Sequence, residues 1–75
     1  LAMRMRRPEE AARWFTRAAQ LQPHDAMLLV RLARAQLDAG DTKGARETLR
    51  RALAEGAPPS GPSVREVAQR LERDT

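Results

Sequence analysis

The chain has 75 residues, no cysteine, 3% aromatics and 14 Lys+Arg against 10 Asp+Glu, a net charge of +4. That length allows one small domain of about half the usual size. Disulfide frameworks and cysteine-built metal sites are excluded, so the core must come from Ala, Leu, Val and Met packed between helices.

From Pro8 through Gln22, Ala11, Trp14, Phe15, Ala18 and Leu21 recur at steps of three and four, which predicts a first helix with one apolar stripe. Pro8 suits its first turn and Pro23 ends it. Asp25 is placed to cap a second helix that begins near Ala26. Its stripe holds Leu29, Leu32, Ala33 and Gln36 or Leu37, flanked by Leu28 and Ala35, and Gly40-Asp41 supplies a left-handed stop and a turn. Thr42 or Asp41 caps a third helix bearing Ala45, Thr48, Leu49, Ala52 and Leu53, which stops at Gly56. The run from Ala57 to Pro62 contains three prolines and reads as a stiff linker. A fourth helix is predicted to open on the capping box Ser63 and Glu66 and to carry Val64, Val67, Ala68 and Leu71. Nothing reads as a strand.

The chain repeats itself. Ala11, Phe15 and Ala18 recur as Ala45, Leu49 and Ala52, each 34 positions later, and Leu29, Leu32 and Ala33 recur 35 positions later as Val64, Val67 and Ala68. Small residues are needed wherever two helices approach closely, because bulk there would separate them.

These residues resemble the tetratricopeptide repeat. Leu29, Leu32, Ala33, Gly40-Asp41, Ala45, Leu49 and Ala52 stand at the repeat's signature places. Gln36 takes the place of an aromatic, Ala57 that of the terminal proline, and Arg6 that of the first repeat's turn glycine. The resemblance implies an all-α, right-handed α-α superhelix of antiparallel helical hairpins with about four helices. It divides the chain into the second half of a repeat (1–25), a complete repeat (26–59) and a C-terminal capping helix (60–75). The family's first helices line a concave groove that binds peptides or partner segments. Here that face would present Met27, Val30, Arg31, Arg34 and Asp38, with Arg65 or Gln69 from the capping helix. Its guanidinium groups favour an acidic or carboxylate-bearing ligand. The clamp that some members use for chaperone C-terminal carboxylates is not reproduced, because Val30 stands where that clamp has a lysine.

The charge pattern bears on a second reading. Arg4, Arg6, Arg7, Arg13 and Arg17 face only Glu9 and Glu10 in the first 22 residues, a basic stretch that could contact nucleic-acid phosphates. Other arginines are expected in helical ion pairs four residues after a glutamate: Glu9 with Arg13, Glu47 with Arg51 and Glu66 with Arg70. The periodicity points Phe15 inward and gives Trp14 and Phe15 a core or inter-repeat role rather than a base-stacking one. If the chain begins mid-repeat, the helix that would cover them is missing and a second copy could cover that apolar face.

No chemistry emerges. His24 is the only histidine, without cysteine or a nucleophile for company, and reads as a turn residue. No glycine-rich phosphate motif occurs, so neither enzymatic activity nor a cofactor or metal is implied. The longest apolar run, Ala26 to Val30, falls far short of the roughly 18 residues that span a bilayer. The chain is expected to be soluble, in cytoplasm or periplasm. It opens on Leu1 without a charged leader, which reads as a fragment or processed product, and its arginine-rich, lysine-poor usage suggests a GC-rich bacterial genome.

Overall fold

The computed structural model describes residues 7–73, which form four helices: α1 (Pro8–Leu21), α2 (Ala26–Asp38), α3 (Thr42–Ala54) and α4 (Pro62–Arg73). The described residues contain no strand, and the all-α hairpin architecture is as expected. Helix α2 is the hub: it packs against α1, α3 and α4, while among the described helices α1 packs against α2 alone.

The boundaries follow from local chemistry. Asp25 Oδ1 accepts the Leu28 N–H at 3.1 Å, capping α2. Asp41, not Thr42, caps α3, its Oδ1 accepting from the Gly44 N–H at 3.0 Å. Helix α2 ends at Gly40, whose φ of 90° few side chains tolerate. There the Gly40 N–H donates to Leu37 O at 3.1 Å and the Asp41 N–H to Gln36 O at 2.8 Å.

Helix α3 ends in the same way. Gly56 has φ 110°, its N–H donates to Leu53 O at 3.1 Å, and the Ala57 N–H donates to Ala52 O at 2.9 Å. This accounts for Ala57 in a proline's place: a proline has no N–H to give. The Ala57 side chain is also buried in the core, a role its position in a proline-rich linker conceals.

The capping box at Ser63 is a misreading. Helix α4 starts one residue earlier, at Pro62, whose fixed φ suits the first helical position. Gly61 supplies the carbonyl that accepts the Arg65 N–H at 2.9 Å, which leaves Ser63 inside the first turn.

One core unites the helices. It gathers Leu29, Val30, Leu32, Ala33 and Leu37 from α2, Ala45, Leu49 and Ala52 from α3, Val64, Val67 and Leu71 from α4, and Ala19 from α1. Ala33, Ala45 and Ala52 have no exposed surface, as close approach of α2 and α3 requires. The α1 counterparts of Ala45 and Ala52 differ: Ala11 and Ala18 are only half-buried, and among the described residues α1 has α2 as its one helical neighbour.

Candidate partner-binding face

The outer stripe of α2 is set by helical geometry. Met27, Arg31, Arg34 and Asp38 follow steps of four, three and four, so they share one face. All four are exposed. Val30 does not join them: it is 2% exposed and belongs to the core, which corrects the expectation that it faces a ligand. One residue before Arg31 it is rotated by about 100°, away from the outer stripe and into the core that α4 helps to close.

Two of the charged residues already have partners. Arg34 Nη2 lies 3.5 Å from Glu66 Oε2, and Arg70 Nη2 lies 2.6 Å from Asp38 Oδ1. Glu66 and Arg70 thus reach across to α2 instead of pairing with each other along α4, and no ion pair joins Glu9 to Arg13 or Glu47 to Arg51 among the described residues. The interhelical contacts win because α2 and α4 lie side by side and each offers the other an opposite charge. Arg31 and Arg65 remain exposed and have no ion-pair partner among the described residues.

Beside this stripe runs a groove of about 310 Å³ between α1 and α2. Pro8, Ala11 and Phe15 of α1 and Ala35 of α2 form its apolar side, and Arg31, Arg34 and Asp38 its charged rim. Periodicity alone places Phe15 and Ala35 on apolar stripes, but only the packing angle of α1 on α2 brings them to one depression. Phe15 is half-buried and packs against the core. Met27 lies near the other end of α2, and Arg65 stands on α4 without touching the groove's lining.

A model of the tetratricopeptide repeat family matches residues 2–71. The chain belongs to the tetratricopeptide repeat family. Comparison with curated proteins gave no match, and comparison with solved structures gave none either. Tetratricopeptide repeats generally mediate protein–protein interaction and are typically non-catalytic modules. Within this repeat, the place usually held by an aromatic is occupied by Gln36, whose Oε1 accepts a hydrogen bond from the Thr48 hydroxyl at 2.6 Å. A polar tie between α2 and α3 therefore replaces apolar packing.

Two further observations complete the surface. His24 Nδ1 lies 3.0 Å from Glu55 Oε1, joining the α1–α2 turn to the end of α3, with the histidine side chain 82% exposed. Of the basic N-terminal stretch, Arg7, Arg13 and Arg17 are exposed, while Arg4 and Arg6 lie outside the described residues. No helix among the described residues is long and apolar enough to cross a membrane.

Proposed function

We propose that this chain is a non-catalytic scaffold element that holds a segment of a partner protein along α2. In this reading it comprises the second half of one repeat (1–25), a complete repeat (26–59) and a capping helix (60–75). The observation that carries it is the groove itself, an apolar wall of Pro8, Ala11 and Phe15 facing the guanidinium of Arg31. A segment with one apolar side chain and a nearby carboxylate satisfies both walls, since a guanidinium can bind a carboxylate through two parallel hydrogen bonds.

Arg31 is the principal cation of this site and Arg65 a flanking one, because neither is neutralised by a neighbour. Arg34 and Asp38 frame the groove while held to α4, and Met27 extends its apolar character toward the start of α2. Screening a peptide array and repeating it with Arg31→Glu plus Arg34→Glu tests the reading. Loss of the selected acidic peptides with helicity retained supports it, and indifference to the reversals refutes it.

Nucleic-acid binding is supported less well. Glu9 and Glu10 interrupt the stripe formed by Arg7, Arg13 and Arg17, and a continuous basic footprint is what phosphate recognition needs. A salt titration against generic duplex separates the two readings: association at low salt that fades steeply with added salt would favour the second.

A further inference from the structure

Trp14 and Leu21, 68% and 78% exposed, are the most exposed large apolar residues among the described ones. Seven positions apart, they share one face of α1. Arg7, Glu10 and Arg17 complete that strip, with steps of three and four along 7, 10, 14, 17 and 21, and all five residues are exposed. This is the spacing of a seam along which two helices pair. Phe15 is half-buried and packs against the core, as the apolar spacing of α1 leads one to expect.

The strip is self-complementary about Trp14. Glu10 lies four residues before it and Arg17 three after, while Arg7 and Leu21 stand seven residues to either side. We propose that a second copy of this chain covers the strip, α1 running antiparallel to α1 about a twofold axis beside Trp14. The two indoles meet at the axis, where aromatic pairs gain beyond their buried area. Each Glu10 faces the partner's Arg17, and each Leu21 lies along the methylene stem of the partner's Arg7.

A head-to-tail contact offers no such match. The outward positions of α4 are Arg65, Glu66, Gln69, Glu72 and Arg73, all exposed and polar, and would leave the indole against charge. The 14 residues of α1 span about 21 Å, so the contact is smaller than a standard interface and the dimer is weak and concentration-dependent.

Sedimentation equilibrium from micromolar to millimolar concentration, read with the emission of Trp14, the chain's only tryptophan, tests this proposal. The expected result is a rise from monomer to dimer mass with a blue shift in step. Glu10→Arg and Arg17→Glu each weaken the association by about tenfold, since two attractive pairs become two repulsive ones. An equimolar mixture of the two variants regains it, because opposite charges then face each other again. Circular dichroism verifies that both variants remain helical. A monomer throughout, or a dimer indifferent to both reversals, overturns the proposal. So does a Trp14 shielded from a collisional quencher while the chain is monomeric, which would mean that the strip is covered within its own chain.

Discussion

The Thr48 hydroxyl of α3 donates to the Gln36 side-chain carbonyl of α2 at 2.6 Å, with Thr48 only 8% exposed. Thr48 is buried and Gln36 half-buried, so removing the Gln36 amide strands the Thr48 hydroxyl, whereas without Thr48 the Gln36 amide can turn to water. Gln36→Leu is expected to cost about 1–2 kcal/mol, and Thr48→Val less, because the half-exposed Gln36 amide can be hydrated. The double variant should cost less than the sum by about 1 kcal/mol, because no buried polar group is then left unpaired. Urea denaturation of the four proteins measures this coupling.

Gly44 is held small by a cap. A Cβ at this position would collide with the Asp41 carboxylate that accepts the Gly44 N–H. Gly44→Ala therefore gains about 1 kcal/mol of helix propensity and loses about the same in capping, for a near-zero net change. In an Asp41→Ala background no cap remains to be lost, and the same substitution should stabilise by the full amount. Thermal denaturation of the two pairs distinguishes this account from a simple propensity effect.

The contacts between α2 and α4 tune the face more than they stabilise the fold. Arg34 and Glu66 have side chains 53% and 46% exposed, so solvent screens their attraction. Glu66→Gln should change stability by less than about 1 kcal/mol. By releasing Arg34 it should strengthen binding of an acidic segment by about threefold, a gain that fades as salt is raised. Fluorescence anisotropy of a labelled acidic peptide at two ionic strengths reads both effects.

The small residues at the α2–α3 contact have no room to grow. Ala45 and Ala52 are wholly buried, and a larger side chain must push the helices apart or adopt a strained rotamer. Ala45→Leu is expected to cost about 1–3 kcal/mol. Ala11→Leu, its counterpart on half-covered α1, should cost distinctly less. Equal losses at both positions would mean that α1 is as tightly enclosed as α3.

Most of this architecture was legible in the order of residues. Apolar steps of three and four mark all four helices, and Pro23, Gly40 and Gly56 mark stops that local backbone geometry enforces. The start of α4 was missed because Pro62 at the first helical position outweighs the serine after it. The site was harder to read. Val30 and Arg31 are neighbours in sequence, but Val30 stands three and seven residues before the buried Ala33 and Leu37, so the helical period itself turns it inward and Arg31 outward. What periodicity does not contain is the pairing of Glu66 and Arg70, whose spacing invites an intrahelical pair until α2 presents Arg34 and Asp38 beside them. The tie between Gln36 and Thr48 joins residues 12 positions apart, and only the hairpin brings them together.

The groove between α1 and α2 carries the functional account, and mapping amide shifts in the isotope-labelled chain on titration with an array-selected acidic peptide tests it most directly. The account predicts the largest shifts at Ala11, Phe15, Arg31, Arg34 and Ala35, abolished by Arg31→Glu. Shifts centred instead on Arg46 and Arg50 of α3, or shifts unaffected by that reversal, would contradict it.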